Sequence, residues 1–364
     1  MAKSDTSKAS ALNEKEGIKA PDTLSSASAK AIKSKRQKQP SVPYLVKGIT
    51  EGNITALSRA ITLVESTNPK HSEKANKIVT SCLPHANKSI RVGITGVPGV
   101  GKSTFIEALG KYLTDNTKKV AILAVDPSSS INKGSILGDK TRMEDLVKEP
   151  NAFIRPSASR DSLGGVARNT REAIILCEAA GYNVILIETV GVGQSETMVH
   201  SMVDFFLLLK IAGAGDELQG IKRGIIEMAD AIVINKSDGE NIRNAHIAKV
   251  EFSRALHLYP PKESGWQPKV LTASAIENTG IGAVSKMIDQ YISLAKEQGF
   301  FSAKRNNQNT FWLQTTIQQY LHDSFFKNKN ISVALQQEIE LLKSGKTTPF
   351  NAAKKLLKSY NEQT

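Results

Sequence analysis

Cysteine is nearly absent: Cys82 and Cys177 are the only two in 364 residues. Two distant thiols cannot build a disulfide framework, and they lack the spacing of a metal site. Aromatic residues are scarce, at 5%. No apolar run approaches the roughly 18 residues that suggest a membrane-spanning helix. Acidic residues are also in short supply, with 35 Asp and Glu against 48 Lys and Arg, a net charge of +13. What remains is ordinary for a globular protein: 40% hydrophobic and 23% charged residues, in a chain long enough to bury a full core. These features predict a reducing, cytoplasmic setting.

The positive charge is unevenly placed. Residues 1–50 hold ten basic and four acidic residues, so nearly half of the excess lies in the first seventh of the chain. That segment is rich in Ser, Ala and Lys and carries Pro21, Pro40 and Pro43, the composition of a mobile arm. Asp5, Glu14, Glu16 and Asp22 set it apart from a transit peptide, which is Arg-rich and poor in acids. No aromatics interleave with its lysines and no recognition motif accompanies them, which argues against nucleic-acid binding.

Periodicity divides the rest. Leu45, Ile49, Ile54, Leu57, Ile61 and Val64 recur at mostly helical steps, followed by a shorter periodic piece up to Cys82 and a break at Pro84. Strand-like runs then follow at Ile90–Thr95, Val120–Val125, Ala152–Ile154, Val184–Ile187, Phe205–Ile211, Ala231–Ile234 and Lys269–Thr272. Helical patterns separate many of them, among them Ser103–Leu113, Gly165–Ala180 and Glu240–Leu258. Buried strands alternating with helices predict an α/β fold with a mostly parallel sheet covered on both faces. After Thr279 the pattern is helical to the end. The expected organisation is a basic arm (1–41), an N-terminal helical extension (42–84), a nucleotide-binding domain (85–283) and a C-terminal helical extension (284–364).

The most specific motif is Gly96-Val97-Pro98-Gly99-Val100-Gly101-Lys102-Ser103, followed by Thr104. It follows the strand-like RVGIT and opens a helical pattern, the context a P-loop requires. Its glycines let backbone N–H groups turn toward phosphate oxygens at a helix N-terminus. Lys102 then reaches the β- and γ-phosphates, and the Ser103 hydroxyl is a ligand for Mg²⁺. Asn235-Lys236-Ser237-Asp238 closes the strand-like AIVI, 133 residues beyond Lys102. A carboxylate there accepts from both N1–H and the 2-amino group of guanine, a donor pair that adenine lacks. Lys236 packs its stem along the base in this reading, and Asn235 ties loops together. Ala273-Ser274-Ala275, after VLT, offers a backbone N–H to the guanine oxygen, from Ser274 or Ala275.

Three acids complete the candidate site. Asp126 closes VAILAVD, Asp139 lies in GSILGDKTRM, and Glu188 closes VILIE ahead of Gly191 and Gly193. Carboxylates at the C-terminal ends of parallel strands stand at the sheet edge where ligands bind. Mg²⁺ keeps several waters and needs one or two of them. The glycines after Glu188 are not a dinucleotide fingerprint, because no third glycine or ribose-binding acid follows in register.

Taken together, GVPGVGKST, DPSSS with GSILGDKTRM, RPSASRDSLGG, IETVGVGQSE, LQGIKRGIIEMAD and NKSDG resemble the methylmalonyl-CoA mutase-associated GTPases, MeaB-type bacterial proteins and their mitochondrial counterparts. Many members carry an older name as a lysine/arginine/ornithine transport kinase. The resemblance covers about residues 45–300, and Asn132-Lys133-Gly134 departs from the family's usual glycine pair. It implies a P-loop G domain of the SIMIBI class, often dimeric through helical extensions. It implies Mg²⁺-dependent GTP hydrolysis coupled to an adenosylcobalamin-dependent acyl-CoA mutase, with methylmalonyl-CoA mutase as the usual partner. Lys102, Asp126, Asp139 and Glu188 then line the catalytic centre, with Ser103 and the three acids on its metal side. Gly191 senses the γ-phosphate through its backbone, and Gly215–Arg223 with Lys222 forms a further switch. Gln194 lies close by, but no arginine finger is readable, which predicts slow intrinsic turnover that the mutase accelerates. A nickel-insertion GTPase would need Cys or His clusters, and the six histidines are scattered. A kinase would need a base for an acceptor hydroxyl, and no dedicated candidate is readable.

Overall fold

The structure is a computed structural model that describes residues 40–125, 143–156, 163–189, 195–213 and 223–362. Seven runs of Val, Ile, Leu and Phe form its sheet: β1 (Ile90–Gly96), β2 (Val120–Val125), β3 (Ala152–Pro156), β4 (Val184–Thr189), β5 (Phe205–Ile211), β6 (Ala231–Asn235) and β7 (Lys269–Thr272). Their order is β3-β2-β4-β1-β5-β6-β7, and every pairing is parallel. The strands are apolar nearly throughout because helices cover both faces, so alternation would leave polar groups in the core.

In chain order the helices are α1 (Val42–Thr50), α2 (Ile54–Val64), α3 (Pro69–Cys82), α4 (Lys102–Asp115), α5 (Leu163–Ala179), α6 (Ser195–His200), α7 (Arg223–Met228), α8 (Ile242–Leu256), α9 (Ile281–Glu297), α10 (Phe300–Phe326), α11 (Lys329–Lys343) and α12 (Pro349–Asn361). Asn53 and Asn68 start α2 and α3 by accepting from Ala56 N and Lys70 N, and Pro69 supplies a pre-set first turn. One sheet face packs against α5, α6 and α8, with α1–α3 layered over α5. The other face packs against α4 and α9. The result is the three-layer P-loop architecture with helical additions at both ends. No described helix is long and apolar enough to cross a membrane.

The first part of α10 is fastened to the sheet by polar contacts no periodicity reveals. Arg305 is buried and donates from Nε to Asp204 Oδ1 (2.8 Å) and from Nη2 to Asp204 Oδ2 and Ser89 O (both 2.7 Å). Asp204 also accepts from the β1 backbone at Arg91 N (2.8 Å). Gln308 and Trp312 donate to Val203 O and Ser201 O. A buried pair bonded this fully resists disruption, since losing one partner strands a charge at a cost of about 3–5 kcal/mol. Beyond Trp312 the same helix leaves the core, and Leu313, Ile317, Tyr320 and Leu321 are exposed.

Candidate nucleotide-binding site

Parallel strands bring the motifs to one sheet edge. Gly96 ends β1, Glu188 lies near the end of β4, and Asn235 ends β6. Glu188 stands in register with Ile94 on β1 and Ala124 on β2. The loop from Val97 leads directly into α4, whose first residue is Lys102 and whose cap is Gly101 at φ +88°. A side chain at 101 would be strained there and would sit 2.9 Å from Asn235 Nδ2. A Cβ at Gly96 would stand 2.7 Å from Leu209 O, so glycine lets β1 turn against β5. Val100 is fully buried and anchors the loop in the core.

Lys102 Nζ donates to Gly96 O (2.8 Å) and Val97 O (3.2 Å), folding the ammonium back across the loop. Burial pulls its pKa below the usual lysine range, and the nearby charges of Glu188 and Glu196 partly oppose that. Ser103 Oγ donates to Glu188 Oε1 at 3.2 Å, so the second residue of α4 meets the strand-end acid. Thr104, next on α4, is exposed. The ends of β1 and β4 are joined by a buried bond from Thr189 Oγ1 to Thr95 Oγ1, 2.9 Å long. Asp126, Asp139 and Gly191 lie outside the described residues, as do Gln194 and Lys222.

The base-reading motif is tied to the phosphate loop. Asn235 is buried, and its Nδ2 donates to Val100 O at 2.9 Å. Lys236 adopts φ +55°, which turns the chain sharply after the strand, and its carbonyl accepts from Asn241 Nδ2 (2.7 Å). A Cβ at Gly101 would approach Lys236 Cε at 3.7 Å, so the lysine stem passes beside the phosphate loop. Asp238 Oδ2 accepts from the Ser274 hydroxyl, which fixes the carboxylate. In the 273–275 triplet, Ala273 N donates to Ile234 O and Ser274 N to Thr279 O. Only the Ala275 N–H makes no hydrogen bond among the described residues.

A match to the family model for the methylmalonyl Co-A mutase-associated GTPase MeaB spans residues 57–330. The chain belongs to this family. Its relatives include a protein named "Probable GTPase" of Mycobacterium tuberculosis, 47% identical over 88% of this chain and 95% of its own. GTPase ArgK of Escherichia coli is 43% identical, over 85% of this chain and 94% of its own. The mitochondrial methylmalonic aciduria type A homolog of Mus musculus is also 43% identical, over 90% of this chain and 81% of its own. The crystal structure of a LAO/AO transport system kinase superposes with a TM-score of 0.71 at 37% identity, covering 89% of this chain and 98% of that one. The resemblance drawn from the motifs therefore holds, and so does the fold class.

Two buried charges near this edge were given no role by the sequence. Glu196 is fully buried on α6, close enough for its charge to reach Lys102. In IETVGVGQSE it reads as an ordinary acid in a helix's first turn, and nothing in its spacing marks burial. Lys210 is fully buried near the end of β5, its Nζ 5.3 Å from the centre of the Phe252 ring. The run FFLLLKI gave one signal for it, a lone cation inside an apolar strand.

Proposed function

We propose that this MeaB-family GTPase hydrolyses GTP with Mg²⁺ and uses the cycle to gate adenosylcobalamin loading of an acyl-CoA mutase, methylmalonyl-CoA mutase by family precedent. One observation carries the nucleotide part: the bond from Asn235 Nδ2 to Val100 O joins the guanine-reading segment to the phosphate loop. Base recognition and phosphate binding thus share one frame, and a guanine held by Asp238 sets the register of the phosphates over Lys102. The coupling to a mutase is supported by the family's own description.

Ser103 and Glu188 are hard oxygen donors 3.2 Å apart beside a lysine, the donor chemistry that Mg²⁺ takes. They would hold the ion with Asp126 and Asp139, and the ion would supply positive charge against the β- and γ-phosphate oxygens. Lys102 exchanges its carbonyl contacts for phosphate oxygens and neutralises charge that builds on the leaving GDP. The N-terminus of α4 adds its backbone N–H groups. Asp238 accepts from guanine, Lys236 flanks the base, and the Ala275 N–H faces the guanine oxygen. Gly191 and the 215–223 segment carry the γ-phosphate signal outward. Water attacks the γ-phosphorus, the bond to the β-phosphate oxygen breaks, and GDP and phosphate leave.

GTP carrying a γ-label distinguishes this hydrolase from a kinase. The label is expected as free phosphate with no labelled acceptor, and Glu188→Ala lowers its release by about 10²-fold. The melting temperature of that variant shifts by only a few degrees, because the change removes an acid from a site rather than apolar mass from the core. Label on a protein or small molecule, or unchanged release in the variant, contradicts the proposal.

A homodimer is the proposed assembly. Leu313, Ile317, Tyr320 and Leu321 recur at helical spacing on the outer part of α10 and are 49–75% exposed, a contiguous apolar stripe suited to a second copy. Sedimentation is expected to give twice the chain mass for the native protein and a monomer for Leu313→Glu/Tyr320→Glu. A native monomer at micromolar concentration rules the assembly out.

A further inference from the structure

A cavity of about 260 Å³ lies at the opposite edge of the sheet from the nucleotide motifs, between α4 and α9. Its floor is apolar: Val92 on β1, Val184 and Leu186 on β4, Leu109 on α4 and Ile288 on α9. All five are less than a tenth exposed. A cavity of about 150 Å³ with similar walls suffices to hold benzene, so this one has room for a branched or aromatic side chain. The β1 and β4 residues here pair as Ile90 with Val184 and Val92 with Leu186, near the start of each strand.

The mouth is polar and carries one charge of each sign. Lys118, just before β2, and Asp289, on α9, are exposed lining residues, and Tyr112 and Ser285 line the same cavity. None of these four side chains makes a hydrogen bond or ion pair with a described residue. They are available to an incoming molecule without breaking a hydrogen bond or ion pair to a described residue. Tyr112 packs against Gly282, where an added Cβ would stand 3.1 Å from its hydroxyl, so the ring forms a wall between the two helices.

We propose that this cavity binds a compact zwitterion with an apolar body, of which an apolar α-amino acid is the simplest form. The side chain fills the floor, the carboxylate meets Lys118, and the ammonium meets Asp289. A molecule bearing only one charge would leave the other mouth residue without its counterpart. The occupant would also touch the far end of α4, about 20 Å along the helix that begins with Lys102 and Ser103.

The test is a titration of the full chain with L-leucine and L-phenylalanine, read by methyl NMR at Leu109, Val184, Leu186 and Ile288. 4-Methylpentanoate and isoamylamine, which are leucine without its ammonium and without its carboxylate, serve as controls. The expected result is saturable shifts at these methyls with a Kd of about 1 mM or tighter. Each truncated probe binds at least about threefold more weakly, and Lys118→Met and Asp289→Asn each weaken L-leucine by about three- to tenfold. Both substitutions are on the surface and leave GTP turnover at the wild-type rate, which controls for folding. No saturable shift at these methyls up to about 20 mM overturns the site. Equal binding by the truncated probes, or no loss in either variant, overturns the zwitterion.

Discussion

Replacing Lys102 by alanine lowers GTP turnover by about 10³-fold, equivalent to about 4 kcal/mol of transition-state stabilisation. The ammonium is the one cation of the phosphate loop, and it is seated at the N-terminus of α4 beside Glu188. Hydrolysis moves negative charge onto the β–γ bridging oxygen, and a partly buried cation meets that charge with little solvent screening. Alanine also removes the bonds to Gly96 O and Val97 O, but these are two loop contacts and the change takes no apolar mass from the core. The fold is therefore retained while the chemistry fails. Arginine does not rescue: its planar fork is wider than an ammonium, and the loop closes tightly around Gly101 and Asn235. Circular dichroism and melting temperature separate this outcome from unfolding. A turnover within about tenfold of wild type would remove Lys102 from the catalytic centre.

The second large effect is on base choice. Asp238→Asn weakens GTP by about 10²–10⁴-fold and improves xanthosine triphosphate by a similar factor. Ser274 dictates the direction, because its hydroxyl donates to Asp238 and its backbone is held by Thr279 through reciprocal bonds. An asparagine keeps its oxygen toward that fixed donor and turns its NH₂ toward the base. Guanine's 2-amino group then faces another donor, and each of the two unpaired groups costs about 1–3 kcal/mol, while N1–H is common to guanine and xanthine and still reaches the amide oxygen. Xanthine has an oxygen at position 2, which accepts from the amide. Competition binding with GTP, ATP and xanthosine triphosphate reads the exchange. If the variant keeps the wild-type order of affinities, Asp238 does not read the base.

The sheet was legible because each strand is covered on both faces, so a parallel strand such as the one holding Val184–Ile187 shows as an unbroken apolar run. The P-loop and NKSD were legible for a different reason: phosphate and guanine each impose short, local patterns. Long-range pairings left no such trace. Arg305 and Asp204 are 101 residues apart, and nothing local to either announces the other. Glu196 looks like a surface charge until the fold buries it, whereas Lys210 was flagged only by the apolar strand around it. The triplet at 273–275 offered two candidate N–H donors, and the hydrogen bonds of the fold leave the one on Ala275 uncommitted among the described residues. The cavity beside Tyr112 depends on how α4 and α9 meet, a property of packing that no periodicity carries.

Coupling between the GTP cycle and a mutase is the central proposal. In the proposed cycle the chain supplies the phosphate and base-reading groups, and the partner completes its switches. Steady-state GTP turnover by the full chain, with and without an adenosylcobalamin-dependent methylmalonyl-CoA mutase, tests this directly. The predicted result is slow turnover alone and an acceleration of about tenfold or more with saturating mutase, abolished by Lys102→Ala. Equal rates with and without the mutase would contradict it.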